Sequence, residues 1–355
     1  MIGFRTALSR STGNRRDRQG STMAYSEQWD ERLAFYLMDI EQQHEAFVRD
    51  VAQGLAAPQK TLPAKYFYDA RGSQIYEQIC TLPEYYPYRA ERDILVTYAT
   101  DIYAAIGHLP LVEFGSGNAA KTRYLLTVYE HAGHPFLYCP VDISRAALEA
   151  SAQQLLAAYP HLSIHAMHAD FAGNPGVIRA LHLEQKAMAF LGSNLGNFTR
   201  TESLDFLQGT AALMGPEDVL LLGVDLKKST TLLLPAYDDA QGVTAAFNLN
   251  LLHRMNRELG ANFHVPGFAH LALYNTEHGR IEMHLRSRWA QHVTIAKTSQ
   301  TIHFAAGETI HTENSYKYSV EDIRALGHRA GLTLSRTWFD RQHYFVLGLF
   351  RRTED

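Results

Sequence analysis

The chain of 355 residues is 46% hydrophobic and 20% charged, a composition that argues against a disordered protein. Its formal net charge of −4 gives no electrostatic reason to expect nucleic acid or an anionic membrane as a partner. The two cysteines, Cys80 and Cys139, lie in separate segments, so neither a disulfide framework nor a thiolate metal site is indicated. No apolar stretch approaches the ~20 residues that cross a bilayer, and we expect a monomeric cytoplasmic protein.

The first 22 residues differ from the rest of the chain. They are rich in Arg and Ser, nearly free of acids and without apolar periodicity. This composition is similar to that of an organelle transit peptide. A disordered leader, or an upstream start codon with Met23 as the working one, explains it more simply. We therefore treat residues 1–27 as a flexible leader and leave them out of the predicted fold.

In the middle of the chain, short apolar runs alternate with segments of helical periodicity. Helices are predicted over 118–133, about 144–158 and near 200–214, the last with Thr199 and Glu202 at capping-box spacing. One further helix and two strands are predicted near the C-terminus, in "VEDIRALGHRAGLTLSRTWFD" and "HYFVLGLF". Together these elements predict an α/β fold with a Rossmann-like, doubly wound sheet of seven strands. Its first five strands are predicted in "LPLVEFG", "FLYCPVD", "SIHAMHAD", "AMAFLGSN" and "DVLLLGVDL".

Two segments lie outside this pattern. Residues 28–100 are mostly helical and precede the sheet, whereas residues 227–318 interrupt it and are too long for a connection without structure of its own. The interruption begins helical and becomes strand-like in "RIEMHLRSRWAQHVTIA". We predict that these two segments form one substrate domain over the carboxyl edge of the sheet. Residues 101–226 and 319–355 then form a cofactor-binding domain.

The stretch "GSGNAAKT", residues 115–122, lies between the first of these strands and a helix, where a nucleotide can be held. As a phosphate-binding P-loop it lacks one glycine, because Ala120 precedes Lys121. As G-x-G-x-x-G/A it fits a dinucleotide fingerprint. With Glu113 in front, it fits the loop that cradles S-adenosylmethionine.

Residues at later strand ends help to distinguish these sites, because ligands bind at the carboxyl ends of the strands in such sheets. Asp142 ends the second strand, where it can hold ribose hydroxyls. Asp170 and Phe171 close the third, where an acid can accept from an adenine amino group beside an aromatic face. No second glycine loop follows. The pattern favours S-adenosylmethionine as a methyl donor. The predicted strand ends also carry Glu113, Gly115, Asn194 and Asp225.

Longer motifs occur in a fixed order along the chain. They resemble those of the histidine-specific N-alpha-methyltransferases, the family that forms hercynine in ergothioneine biosynthesis, from about residue 30 to the end. The resemblance implies a class I methyltransferase domain with a second substrate-binding domain, S-adenosylmethionine as donor, and the α-amino group of L-histidine as the acceptor. The motifs are "KYFYDARGSQIYEQICTLPEYYPYRAERDIL", "LVEFGSGNAAKTRYLL", "FLGSNLGNFT", "LLLGVDLKK", "AYDDAQGVTAAFNLNLLHRMNRELGANF", "IEMHLRS" and "GETIHTENSYKYS".

The resemblance also implies a set of donor-binding residues. Lys121 would reach the carboxylate of the donor and Asp142 its ribose. The chain departs from the family in this region, with alanines in "GNAAKT" where polar residues are usual, and with Asn194 where a small hydroxyl residue is expected near the amine. The donor-binding residues implied are Gly115, Lys121, Asp142, Asp170 and Phe171.

A second implied set binds the substrate. Tyr68 and Tyr85 match two tyrosines that face the substrate, and Tyr68 and Asn197 are the implied catalytic residues. Asn197 in "LGN" and Tyr237 in "AYDD" match the pair that holds the substrate carboxylate. The wall around the imidazole matches Met283, Glu313 and Ser315.

The 18 histidines raise the question of a metal. His161, His165 and His168 are close in sequence, but two of them lie in a predicted strand, where positions three apart face opposite sides. The sequence contains no H-E-x-x-H motif. We expect no metal site.

Two other functions remain open from the sequence. The same fold could methylate another amino acid, such as tryptophan or tyrosine, if the residues facing the imidazole are misassigned. The chain could also be a non-catalytic regulator that keeps a donor pocket, although intact Gly115, Asp142 and Asp170 speak against this.

Overall fold

The structure is a computed structural model that describes residues 25–37 and 40–353. Its strands form a large central sheet, a smaller four-stranded sheet and a separate hairpin. Over the described residues the strands are β1 (Tyr25–Asp30), β2 (Leu33–Leu37), β3 (Lys60–Thr61), β4 (Leu111–Phe114), β5 (Phe136–Asp142), β6 (Leu162–His168), β7 (Ala187–Phe190), β8 (Val219–Asp225), β9 (Phe268–Asn275), β10 (Arg280–Ser287), β11 (Gln291–Ile295), β12 (Gln300–Phe304), β13 (Thr309–Tyr316), β14 (Leu332–Phe339) and β15 (Phe345–Arg352).

Within the same described residues, some α-helices pack against the central sheet and others pack against the smaller sheet. Short 3-10 helices occur between them, notably Ala64–Phe67, Pro175–Leu181 and Asn194–Asn197. The α-helices are α1 (Ile40–Ala56), α2 (Ala70–Thr81), α3 (Tyr86–Ile106), α4 (Arg123–His131), α5 (Arg145–Ala158), α6 (Arg200–Ala211), α7 (Thr230–Leu233), α8 (Val243–Leu259) and α9 (Val320–Arg329).

The central sheet has nine strands in the order β1-β2-β6-β5-β4-β7-β8-β15-β14. The strands from β2 to β8 in this order are parallel. The last strands reverse, because β15 is antiparallel to both β8 and β14. The seven strands from β6 to β14 are those predicted from the sequence, and the predicted fold class is confirmed.

The two extra strands correct the sequence analysis, which places residues 25–27 in the leader and residue 28 onwards in a helical segment. Instead β1 and β2 form an antiparallel hairpin, and β2 pairs in parallel with β6. Leu33, Phe35 and Leu37 are buried in the core on one face of the sheet. The hairpin covers the edge of β6, which would otherwise present unpaired backbone groups. The remainder of the predicted leader, residues 1–24, lies outside the described residues.

Helices cover both faces of the central sheet. On one face, side chains of α3, α4 and α5 such as Ile94, Leu125 and Leu148 share a hydrophobic core with the strands. On the other face, Phe206 of α6 and Ile323 of α9 belong to a second core. The predicted capping box is present at the start of α6, where Thr199 and Glu202 satisfy each other's backbone N–H groups.

The smaller sheet, β3-β13-β10-β9, has a third hydrophobic core of its own. That core combines residues of the N-terminal segment, such as Phe47 and Phe67, with residues of the inserted segment, such as Phe247 and Ile310. The two segments are therefore packed together, although more than a hundred residues of central sheet separate them in sequence.

The helix predicted over 118–133 begins later, at Arg123. A helix cannot run through Gly115, Gly117 and Ala119, because all three have positive φ. This stretch is a loop between β4 and α4, at the carboxyl edge where the other strand ends converge.

Candidate active site

The loop after β4 depends on glycine and is fastened by Glu113. Gly115 and Gly117 have φ of 70° and 53°, a left-handed conformation that favours glycine. The carboxylate of Glu113 accepts hydrogen bonds from the hydroxyl of Thr122, at 2.7 Å, and from that of Tyr138. Burial raises the pKa of Glu113 to about 7. The acid of the glycine motif thus connects the end of β4 to the far end of the loop.

Gly115 also leaves a narrow gap that a side chain would fill. A Cβ atom at this position would lie 3.0 Å from Nδ2 of Asn194 and 3.4 Å from the Phe171 ring. The first distance is tighter than nine in ten real Cβ contacts, so a side chain at this position would have to displace Asn194. Glycine thus keeps the loop backbone bare on the side that faces Asn194 and Phe171, where the donor of the predicted family is expected.

Asp142 faces the same loop from the end of β5. Its Oδ2 accepts the Gly117 N–H at 2.8 Å and its Oδ1 accepts the Ser144 N–H at 2.8 Å. Burial outweighs these bonds and raises the pKa of Asp142 above its ordinary value. Each carboxylate oxygen keeps a second lone pair, so both can still accept ribose hydroxyls. This donor set fits the ribose of S-adenosylmethionine.

Asp170 and Phe171 follow β6, as predicted. Asp170 accepts the Ala172 N–H at 3.1 Å and the Lys65 ammonium at 2.9 Å. The Phe171 ring lies 5.4 Å from that of Phe114. An acceptor and an aromatic face therefore occur together where adenine is expected, and Lys65 is a neighbour that the sequence did not reveal.

Lys121 has a partner that the sequence analysis missed. Its ammonium donates to Glu91 of α3, a carboxylate with no exposed surface. Burial disfavours the charged lysine, but Glu91 outweighs it and raises the pKa of Lys121. Glu91 also accepts the Gly192 N–H at 2.8 Å. Through Glu91, Lys121 thus links the glycine loop to α3 and to the turn after β7. A contact between Lys121 and the carboxylate of the donor stays a prediction.

A cavity that opens to solvent brings together all seven predicted substrate residues. Its lining combines aromatic rings with a few polar side chains, the make-up of a small-molecule site. Its walls come from the N-terminal segment, from the turn after β7 and from the inserted segment. The predicted residues that line it are Tyr68, Tyr85, Asn197, Tyr237, Met283, Glu313 and Ser315.

One wall of the cavity is a cluster of aromatic rings. Tyr76 meets Tyr68 edge to face at 5.6 Å and Tyr85 at 6.3 Å, and Phe247 lies 5.7 Å from Tyr68. Burial raises the pKa of Tyr68, Tyr76 and Tyr85 well above the ordinary value, so their hydroxyls stay protonated. Tyr76 and Phe247 were not predicted, because a single aromatic residue in an amphipathic helix is typical of core packing.

The turn after β7 connects this cavity to the glycine loop. Gly192 and Asn194 line the cavity, and Asn194 is also the residue that approaches Gly115. Gly196 in "LGN" lets the following 3-10 helix approach β13, because a Cβ there would lie 2.9 Å from the carbonyl oxygen of Tyr316. Asn197 at the end of that helix is held at the cavity in this way.

Strands β10 and β13 form another wall. Met283 pairs across these strands with Glu313, and Ser315 lies two residues further along, on the same face as Glu313. The Ser315 hydroxyl is 2.7 Å from the hydroxyl of Tyr237. Burial raises the pKa of Glu313 to about 7, against an opposing influence of Lys317. The wall thus presents a carboxyl group, two linked hydroxyls and a thioether.

Outside the cavity lining, histidines lie close to a carboxylate in a group that could be considered as a metal site. Among the described residues, Glu282, His284 and His311 offer ligand atoms within 4.8 Å of one another. The Glu282 carboxylate, however, already accepts from Arg280 at 2.8 Å, from Asn275 at 3.0 Å and from His284 at 3.0 Å. The Glu282 carboxylate is thus already occupied by these donors, and the arginine beside it opposes a second cation.

Within the described residues, no helix is long and apolar enough to cross a membrane.

The order of the central strands, the glycine loop after β4 and the acid at the end of β5 define a class I S-adenosylmethionine-dependent methyltransferase. A family model described as "Histidine-specific methyltransferase, SAM-dependent" matches residues 47–352. The chain belongs to this family.

Curated relatives agree with this assignment. Histidine N-alpha-methyltransferase of Mycolicibacterium smegmatis is 45% identical over 86% of this chain and 94% of its own length. The enzyme of the same name from Mycobacterium tuberculosis is 40% identical over 86% and 95%. Ergothioneine biosynthesis protein 1 of Neurospora crassa is 31% identical over 79% of this chain but only 32% of that longer protein.

Proposed function

We propose that the protein transfers methyl groups from S-adenosylmethionine to the α-amino nitrogen of L-histidine and that the product is the trimethylated betaine hercynine, in ergothioneine biosynthesis. The observation that carries the proposal is that the seven implied substrate residues line one cavity. The same turn that lines the cavity contacts the glycine loop through Asn194. The amino nitrogen and the methyl donor can therefore meet at this turn.

The substrate would be held at two ends. Asn197 and Tyr237 can donate hydrogen bonds to its α-carboxylate. At the other end Glu313 and Ser315 can pair with the imidazole nitrogens, and Met283 can pack against the ring. A buried imidazole without partners would cost ~1–3 kcal/mol for each unpaired group, so this pairing favours histidine over apolar amino acids.

Reaction requires a neutral amine with its lone pair aimed at the donor. When bound, S-adenosylmethionine supplies an electrophilic methyl group. Tyr68 keeps its proton because burial raises its pKa, so its oxygen can accept an N–H of the amine without trapping it as an ammonium ion. Asn197 can accept a second N–H. The hydrogen bonds to Tyr68 and Asn197 together orient the lone pair of the nitrogen toward the donor. Positioning of this kind supplies much of an enzyme's rate.

Three successive transfers, with loss of one N–H proton to solvent before the second and again before the third, would produce a bulky quaternary ammonium group. The faces of Tyr68, Tyr76 and Phe247 provide an aromatic wall that attracts such a cation. We propose that this wall lets the partly methylated amine stay bound until the third transfer. We also propose that the protein acts as a monomer in the cytoplasm.

The proposal is tested by incubating purified protein with isotopically labelled S-adenosylmethionine and an equimolar mixture of the twenty amino acids. Mass spectrometry should find label in histidine, with the trimethylated form accumulating at long times. Label in another amino acid would replace the substrate assignment. No label in any of them, with the donor bound, would indicate a regulator.

A further inference from the structure

Lys317 is a buried cation directly behind the cavity. It follows β13 and has no exposed surface. Its ammonium donates to Oδ2 of Asp225 at 2.8 Å, to the Tyr237 hydroxyl at 2.9 Å and to the Ser315 hydroxyl at 2.8 Å. An ammonium has three protons and no acceptor, so every proton of Lys317 is used in the protein.

This arrangement fixes the direction of the two hydrogen bonds that Lys317 makes at the cavity wall. Because Lys317 can only donate, the oxygens of Tyr237 and Ser315 must both act as acceptors toward it. The two hydroxyls are 2.7 Å apart, and if Ser315 donates to Tyr237, the phenolic proton of Tyr237 points into the cavity. Ser315 then keeps a free lone pair that can accept an N–H. A carboxylate near Tyr237 and an imidazole N–H near Ser315 satisfy both groups.

The charges beneath the cavity also favour an anionic ligand. Asp225 is fully buried and pairs with two lysines, Lys317 at 2.8 Å and Lys228 at 2.5 Å, and it accepts the Tyr86 hydroxyl at 2.6 Å. Burial raises the pKa of Asp225, but the two lysines outweigh it and lower the pKa overall. Lys317 thus places a buried positive charge 2.9 Å from the Tyr237 hydroxyl, and this charge favours a ligand carboxylate at that hydroxyl.

We propose that Lys317 is a positioning residue for the substrate, which acts through the Tyr237 and Ser315 hydroxyls and draws the α-carboxylate of the amino acid into the cavity. The proposal rests on the proposed function, because it takes the ligand of this cavity to be a free amino acid. It adds to the proposed function a residue that does not contact the substrate. It also gives a physical reason why the cavity prefers a ligand that carries a carboxylate.

The test compares ligands with and without the carboxylate in the Lys317→Met variant. With adenosylhomocysteine present, calorimetry should show histidine binding at least tenfold weaker than to the wild type, and histidinamide binding changed less than threefold. Adenosylhomocysteine itself should bind within twofold. Lys186→Met is the matched control, because Lys186 forms another buried pair, with Asp218 at 2.6 Å, outside the cavity lining. It should leave both dissociation constants within twofold of wild type.

A double-mutant cycle tests whether Lys317 acts through Tyr237. In a Tyr237→Phe background, Lys317→Met should weaken histidine binding less than threefold further. If Lys317→Met does not fold, the double variant Lys317→Met with Asp225→Asn removes the Lys317–Asp225 ion pair as a whole and replaces the single variant in the same comparison. Equal weakening of histidine and histidinamide, or full additivity with Tyr237→Phe, would overturn the role of Lys317.

These outcomes are separate from failure of the proposed function. If the wild type methylates another amino acid, the comparison is made with that acid and its amide, and it tests Lys317 as before. If histidine is the substrate but the amide loses as much affinity as the acid, the proposed function stands and the role of Lys317 falls.

Discussion

Glu313 is the side chain on which we expect the choice of substrate to depend most. It lines the cavity opposite Met283 in the paired strands, and desolvation raises the pKa of its carboxyl group, so a hydrogen bond from the ligand to this group would be favourable. An imidazole N–H can donate that bond, whereas an indole or phenyl ring provides a poorer donor or none. Selectivity for histidine should therefore be lost with this carboxyl group.

Replacement of Glu313 by Ala should lower kcat/KM for histidine at least tenfold, which corresponds to about 1.4 kcal/mol. Tryptophan and phenylalanine should lose little or gain, because the site becomes larger and less polar. Adding Met283→Val should make further room for an indole. Steady-state kinetics give the histidine-to-tryptophan ratio of kcat/KM for each variant. An unchanged ratio would mean that Glu313 does not select the substrate.

The raised pKa of Glu313 also predicts a dependence of stability on pH. The folded protein holds this proton with a pKa of about 7, compared with 4.5 for the free side chain. The folded state therefore binds more protons than the unfolded state between these values, and the free energy of unfolding falls as the pH rises through that window. The destabilisation is absent below the lower pKa and complete above the upper one.

Glu313→Gln removes this titration while keeping the size of the side chain. Urea denaturation at about pH 5 and about pH 8 should show the variant gaining stability relative to wild type at the higher pH. Glu308→Gln is the control, because Lys60 and the Ala305 N–H outweigh burial and lower the pKa of Glu308. Its difference from wild type should be flat over this range. A flat difference for Glu313→Gln as well would contradict the account.

At the scale of elements, the site is built from the carboxyl ends of the parallel strands. The ends of β4, β5 and β6 carry Gly115, Asp142 and Asp170, and the turn after β7 carries Asn194. Of these, Asp142 has the clearest single role, because its two oxygens already hold the Gly117 and Ser144 backbone and face the loop.

Asp142→Ala should weaken binding of adenosylhomocysteine by about 1–3 kcal/mol, the scale of lost hydrogen bonds to a charged group. Isothermal calorimetry measures this directly. Asp205→Ala, on the exposed side of α6, should leave the affinity unchanged. Donor affinity that is insensitive to Asp142→Ala would exclude this carboxylate as the ribose ligand.

The sequence predicts elements whose signal is local and misses those that depend on distant partners. The buried strands and the capping box at Thr199 were predictable, because apolar runs and caps are read within a few residues. The β1–β2 hairpin was missed, because its stability comes from the edge of β6. Glu91 and Lys317 were missed for a similar reason, since each forms its ion pair with a residue that is distant in sequence, Lys121 and Asp225 respectively. Only the family resemblance pointed to Tyr68, Glu313 and Ser315.

For the whole molecule, the central feature is that separate parts of the chain meet at one cavity. The N-terminal and inserted segments share a hydrophobic core, and Lys65 and Glu91 of the N-terminal segment pair with Asp170 and Lys121 near the glycine loop. Binding of the donor can therefore influence the walls of the substrate cavity through these ion pairs. The account requires donor and substrate to occupy adjoining sites at once.

A crystal structure of the protein with adenosylhomocysteine and L-histidine tests this claim most directly. It should place the carboxylate of histidine at Asn197 and Tyr237, the imidazole at Glu313 and Ser315, and the α-amino nitrogen toward the sulfur of the product. Histidine bound in the reverse orientation, with its imidazole nitrogen toward the sulfur, or bound outside this cavity, would contradict the account.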